Sequence, residues 1–291
     1  MSSLPNFIVA GSAKCGTTTL CGALEMHPEI FICDPKEPNF LAFDDVYQEG
    51  WDWYESLFEE GRGSAFRGEG SVAYSSPVYQ ETVISRLREK FNDMKIIYIV
   101  RHPLARMESA FKSMTTYGKH REHSEERWDG VPRTVEQAIE DEVEDIVGES
   151  LYFERINEFI RSFSRDRVHV LFFEDYRKDP LRELNACFEF LGAEPWEDPA
   201  VETLHLNSSS NVRVRDTAVL KFMRDHLNSV VKAGGSIPVV SPMLKSVLRP
   251  KFDNKPLMTG SVREKAKEKI FEDSQMLLQL CGKPENYWSF E

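Results

Sequence analysis

Behind the apolar run Phe7-Ile8-Val9-Ala10 comes Gly11-Ser12-Ala13-Lys14-Cys15-Gly16-Thr17-Thr18-Thr19, a stretch whose residue types suit it to holding a phosphate. Gly11 and Gly16 lack the Cβ that would block a close approach. Consecutive N–H groups from Ser12, Ala13, Cys15 and Gly16 can therefore turn toward one anion at the positive end of the following helix. Lys14 adds a point charge, and Thr17 and Thr18 add hydroxyl donors in the first helical turn. The order is not that of a Walker A loop. That motif closes on Gly-Lys-Ser/Thr, whereas here the lysine precedes Gly16, so magnesium-dependent nucleotide hydrolysis loses support. Cys15 is either a reactive thiol or, the simpler reading, a small residue filling the loop.

A second anion site is encoded further on. Lys95-Ile96-Ile97-Tyr98-Ile99-Val100 reads as a strand buried on both faces, Arg101-His102-Pro103 ends it, and Leu104 to Phe111 begin a helix with proline at its start. Arg101 at the strand's carboxyl end and Ser109 two turns into the helix can converge on a further phosphate.

The two segments together resemble the 5′-phosphosulfate loop and 3′-phosphate motif of sulfotransferases that use 3′-phosphoadenosine 5′-phosphosulfate (PAPS). The likeness is strongest to the heparan-sulfate-type and related bacterial members. His27-Pro28-Glu29 and Lys36-Glu37-Pro38-Asn39-Phe40 resemble that group's His-Pro-Asp/Glu and Lys-Glu-x-x-Phe-Phe patterns. Trp51-Asp52-Trp53-Tyr54, Val168 to Tyr176, Asp179-Pro180, Phe190-Leu191-Gly192 and Tyr287-Trp288 resemble later segments. Two departures stand out. Glu69-Gly70-Ser71-Val72-Ala73-Tyr74 replaces Glu-Lys-Thr-Pro-x-Tyr, so a usual lysine is missing, and no clear Lys-Gly-Arg loop precedes the final helix, leaving Lys251 and Lys255 as candidates to cover the cofactor.

The resemblance implies a role for each position. Gly11 to Thr18 hold the 5′-phosphate end, Lys14 neutralises the leaving phosphate, and Arg101 and Ser109 bind the 3′-phosphate. Glu37 is the base, a task that burial of a carboxylate would favour, with Glu69 the alternative. His27 and His102 could act as bases but read more naturally as a helix terminus and a loop residue, and Lys36 is either a second electrophilic contact or a surface lysine. Trp51, Trp53 and Tyr74 are candidates for an acceptor wall and equally for core. No metal is implied. A P-loop small-molecule kinase and a non-catalytic nucleotide-binding protein are the competing readings.

Around these residues the sequence sets strands at 7–10, 30–33, 66–71, 96–100 and 168–173 against helices at 16–26, 51–60, 77–91, 103–117, 134–147, 150–163 and 181–191, then mainly helix to the end. Such alternation implies an α/β fold of P-loop-like, three-layer form, a central parallel sheet flanked by helices, with ligands beyond the strands' carboxyl ends. With 291 residues, 41% of them hydrophobic, the chain can build one large core, a single domain over 1–291 in which 205–260 forms a loop-rich cover. No apolar stretch is long enough to span a membrane and no signal-peptide layout opens the chain. Five cysteines without metal spacing read as reduced thiols, and the expected location is cytoplasmic.

The formal net charge of −12 opposes nucleic acid and polyanionic glycans as partners. Carboxylates crowd between Glu122 and Glu149, most densely over Glu140-Asp141-Glu142-Val143-Glu144-Asp145. This is a solvated helix face or a wall attracting a cationic acceptor. Charge tilts the acceptor toward a small neutral or cationic metabolite, such as an alkaloid or guanidinium natural product, with a carbohydrate hydroxyl as the alternative.

Overall fold

The chain runs β1 (Phe7–Gly11), α1 (Thr17–Leu24), β2 (Ile30–Ile32), α2 (Asp44–Tyr47), α3 (Gly50–Ser56), β3 (Phe66–Glu69), α4 (Gln80–Lys90), β4 (Lys95–Val100), α5 (Pro103–Tyr117), α6 (Val135–Glu140), α7 (Tyr152–Phe163), β5 (Val168–Phe172), α8 (Phe173–Lys178), α9 (Pro180–Leu191) and α10 (Gly260–Leu280). The computed structural model describes residues 3–117, 134–196 and 257–290, which fall in one compact unit. The single-domain expectation for 1–291, the cover assigned to 205–260 up to residue 256, and the candidates Lys251 and Lys255 extend over residues outside the described ones.

The strands form one parallel sheet in the order β2-β3-β1-β4-β5. Every residue of β1 is buried, as are Ile96 to Val100 of β4, which is what a strand covered on both faces requires. From β1 the chain moves to β2 and β3 on one side, then crosses to β4 on the other. The crevice where the order reverses therefore opens beyond the carboxyl ends of β1 and β4. The phosphate-type loop and Arg101 both start there.

Helix boundaries follow local chemistry. Pro103 opens α5, whose Leu104, Met107, Ala110, Phe111 and Met114 form one buried stripe. The Asp179 side chain accepts from Arg182 N–H (3.1 Å) to cap α9, Pro180 is its first residue, and Gly192 at φ 93° ends it. α10 packs on α5, α6 and α7.

Besides the one-turn α2, which no expected helix covers, two elements depart from expectation. The acidic helix, expected over 134–147, stops at Glu140, and Glu142 turns the backbone to φ 48°. Carboxylates massed at a helix's negative end disfavour its continuation. The second is α8, which follows β5 without an intervening turn and so carries no boundary signal.

Candidate active site

The loop between β1 and α1 is fixed from both ends. The β1–β4 register shifts between Val9 and Gly11, and Ser12 N–H donates to Ile99 C=O at 2.8 Å. A Cβ on Gly11 would stand 2.2 Å from Ser75 Oγ, in the 3-10 turn Val72–Ser75, so only glycine passes. Lys14 (φ 67°) and Gly16 (φ 96°) then bend the loop into α1. No side chain caps the first turn of α1, leaving its N–H groups to face an anion. Thr17 is buried there and Thr18 exposed. Cys15 is wholly buried, 3.5 Å from the Tyr152 hydroxyl, and burial pushes its thiol up to about 11. It fills the loop.

Sequence reasoning missed the residue that holds this loop from below. Arg106 is 1% exposed. Its Nε donates to Ala13 C=O (3.1 Å), Nη1 to Ile146 C=O (3.0 Å) and Ser150 Oγ (3.1 Å), and Nη2 to Asp145 C=O (2.9 Å) and the Glu149 carboxylate. A buried guanidinium is tolerable only when so fully paired. The signal was present: Arg106 lies three residues after Pro103 and four before Ala110, on the apolar stripe of its helix.

Charges converge above the loop. Lys14 reaches solvent, yet desolvation and the Arg106 charge hold its ammonium below the ordinary lysine value, while Glu37 and Glu149 pull it upward. Lys14 and Glu37, far apart in sequence, thus share one electrostatic neighbourhood. Glu37 keeps 38% of its side chain exposed and is held by Lys36 at 2.6 Å. The burial expected of the base belongs instead to Glu69, which is fully enclosed. Glu69 Oε1 accepts from Tyr54 (2.6 Å) and Tyr74 (2.5 Å), Oε2 accepts from Ser71, and desolvation raises its pKa. With both oxygens engaged from inside, Glu69 ties the end of β3 to Tyr54 of α3 and to Ser71 and Tyr74 that follow it.

Other candidates divide. Tyr74 is not an acceptor wall: it is wholly buried, donating to Glu69 and accepting from Leu41 N–H at 3.2 Å. Trp51 and Trp53, both half-buried, pack on Phe40, with ring centroids 5.0 and 5.9 Å away. His27 is buried against Phe188 with a ring nitrogen 3.1 Å from Glu194 C=O, and His102 lies 2.8 Å from Ser289 C=O, so both serve packing. The Arg101 guanidinium is 3.5 Å from the Lys14 carbonyl oxygen and 5.1 Å from the centroid of Phe173. Phe173 also faces Gly16, so it links the loop to Arg101, a contact no local pattern announced. Ser109 is half-buried on α5.

Three carboxylates in the described part of the acidic segment meet lysines of α10. Glu136 and Glu140 pair with Lys265 at 3.1 and 2.6 Å, and Glu142 pairs with Lys269. These three carboxylates serve the contact with α10 and so give no support to the cationic-acceptor wall, one of the two readings of the segment; residues 122–133 lie outside the described ones. Among the described residues no cluster has the make-up of a metal site, and no helix is long and apolar enough to cross a membrane.

A family model described as a sulfotransferase domain matches residues 4–229. The chain belongs to the sulfotransferase family. Human heparan sulfate glucosamine 3-O-sulfotransferase 5 is 26% identical over 199 residues, 67% of this chain and 55% of that protein. A membrane-associated sulfotransferase of Dictyostelium discoideum is 32% identical over 110 residues, 37% of this chain and 22% of that one. The chain spans about half the length of the human relative, 55% of it. The crystal structure of a sulfotransferase from Alicyclobacillus acidocaldarius matches with a TM-score of 0.63 at 22% identity over 96% of each chain, a likeness of fold. Membership in the sulfotransferase family removes the kinase reading and agrees with the missing Gly-Lys-Thr order.

Proposed function

We propose that this sulfotransferase moves a sulfuryl group from PAPS to a hydroxyl or amine of a carbohydrate acceptor. The carrying observation is the convergence of Lys14, Glu37 and an uncapped α1 N-terminus at the sheet's switch point. In the proposed reaction Glu37 takes the acceptor's proton as its oxygen or nitrogen bonds to sulfur. The bond from sulfur to the phosphate oxygen breaks, and Lys14 with the α1 N–H groups meets the charge left on that phosphate. Positioning and electrostatics supply most of the catalysis, as in the related transfer of phosphoryl groups. Arg101 and Ser109 take the 3′-phosphate.

The heparan sulfate glucosamine in the human relative's name favours a sugar over a cationic metabolite, and the pairing of Glu136, Glu140 and Glu142 with lysines weakens one ground for the latter. The cytoplasmic location stays part of this proposal, supported by five free cysteines.

The test has two parts. 3′-Phosphoadenosine 5′-phosphate (PAP) should raise the melting temperature more than ADP or AMP does. Arg101→Ala should weaken PAP by about 1.5–3 kcal/mol, the worth of a hydrogen bond to a charged group. Equal stabilisation by all three nucleotides would sink the PAPS assignment. Radiolabelled sulfate from PAPS is then offered to N-sulfated heparosan hexasaccharide, chitopentaose and agmatine. Label in a sugar is expected; label in agmatine alone returns the acceptor to the cationic class.

A further inference from the structure

Lys36 stands beside Glu37, and neither of the two roles its sequence position suggested accounts for its contacts. Its Nζ donates to Glu37 Oε1 at 2.6 Å and to Gly70 C=O at 2.7 Å, with 20% of the side chain exposed. The backbone doubles the link, because Gly70 N–H donates back to Lys36 C=O at 2.9 Å. Asn39 N–H donates to Ser71 Oγ (3.0 Å), and Asn39 Nδ2 to Glu37 C=O (3.1 Å). The turn 36–39 is thereby stapled to the end of β3, and the ammonium is held at one point. From there its charge also reaches Glu69.

Gly70 is what leaves room for this. A Cβ there would stand 2.9 Å from Lys36 Cε and 3.2 Å from its Nζ, with Cys21 Sγ at 2.6 Å on the other side. Residue 70, the first of three positions where the sequence departs from the resembled Glu-Lys-Thr-Pro-x-Tyr pattern, is the one against which the Lys36 ammonium sits. We infer that Lys36 is the positioning residue of Glu37, holding the carboxylate toward Lys14, and that the absence of a side chain at residue 70 is the condition for it. This rests on the reading of Glu37 as base. A surface lysine would have none of these constraints: two hydrogen bonds from its ammonium, a backbone bond returned by Gly70 N–H, and a neighbour on which a Cβ would crowd both its own side chain and Cys21.

The experiment compares Lys36→Met, which keeps length and loses the donors, with Lys36→Arg, which keeps charge and donors. Crystal structures of both are read for the Glu37 carboxylate. It should leave its position in Lys36→Met and keep it in Lys36→Arg; an unmoved Glu37 in Lys36→Met overturns the inference without reference to turnover. PAP release from PAPS is followed with the best sugar of the panel above, or with water as acceptor where no sugar is labelled. Lys36→Met should lower kcat by about tenfold or more with PAP affinity unchanged, and Lys36→Arg should restore most of it. In a Glu37→Gln background the same Lys36→Met change should alter kcat by less than about twofold, because both variants remove one interaction. A loss that is undiminished in that background marks a merely structural lysine and overturns the inference. Failure of the wild type to bind PAP would instead count against the PAPS reading, leaving the crystallographic result to decide the placement of Glu37.

Discussion

In the proposed reaction Lys14 and Glu37 face opposite demands, one to meet growing negative charge and the other to accept a proton, and the Glu37 carboxylate acts on the Lys14 ammonium from a separate loop. Lys14→Ala should lower kcat by about 10²–10³-fold, the scale on which one preorganised electrostatic contact acts. Glu37→Gln should lower kcat by about 10²–10⁴-fold while PAP affinity and melting temperature stay near wild type. Glu69→Gln should behave differently. Tyr54, Tyr74 and Ser71 all donate to that carboxylate, so an amide would set an N–H against hydroxyls that need an acceptor. A stability loss of about 1–3 kcal/mol is expected, read from denaturant unfolding. Should Glu69→Gln lose turnover with stability intact, the base moves to Glu69. The residue types were legible in the sequence because phosphate cradles need glycine, lysine and hydroxyls in order. The division of labour between Glu37 and Glu69 was not, because it depends on which carboxylate three hydroxyls from Tyr54, Ser71 and Tyr74 enclose.

At the scale of elements, α10 is tied to the catalytic half by more than apolar contact. Asp273, 6% exposed, accepts from Phe153 N–H and Glu154 N–H, both at 3.1 Å, capping α7 from another helix. Burial outweighs these bonds and raises the Asp273 carboxyl to about 6, from an ordinary 3.8. Between those values the folded protein binds more protons than the unfolded chain, so this group's contribution to stability falls as pH rises through the window. Wild type minus Asp273→Asn stability should therefore be larger near pH 5 than near pH 7.5 by about 1 kcal/mol. An equal gap at both pH values would mean the carboxyl titrates normally. Strands β1, β4 and β5 and helix α5 were legible within a residue or two, because continuous β-branched runs and a proline start leave strong marks. The early stop of α6 was not legible, since a charge run reads equally well as helix face or helix end. Neither was Asp273, whose partners are 120 and 119 residues away.

For the whole molecule, the net charge of −12 acts on whatever approaches the crevice. Some of its carboxylates are locally balanced, since Glu136, Glu140 and Glu142 meet Lys265 and Lys269. The remainder repels polyanions at long range, and salt reduces that repulsion as the Debye length shrinks from about 10 Å at 0.1 M to about 3 Å at 1 M. On the proposed carbohydrate reading, this charge favours an acceptor with few charges of its own. With PAPS held saturating, kcat/KM for N-sulfated heparosan hexasaccharide should rise between about 0.05 and 0.3 M salt, while that for neutral chitopentaose stays flat. Neutralising Glu140 and Glu142 to Gln should change neither profile, because those side chains already face α10 cations. A heparosan rate that falls with salt would reveal a basic patch at the acceptor crevice strong enough to override the molecule's overall sign, and would move the acceptor toward polyanionic glycans.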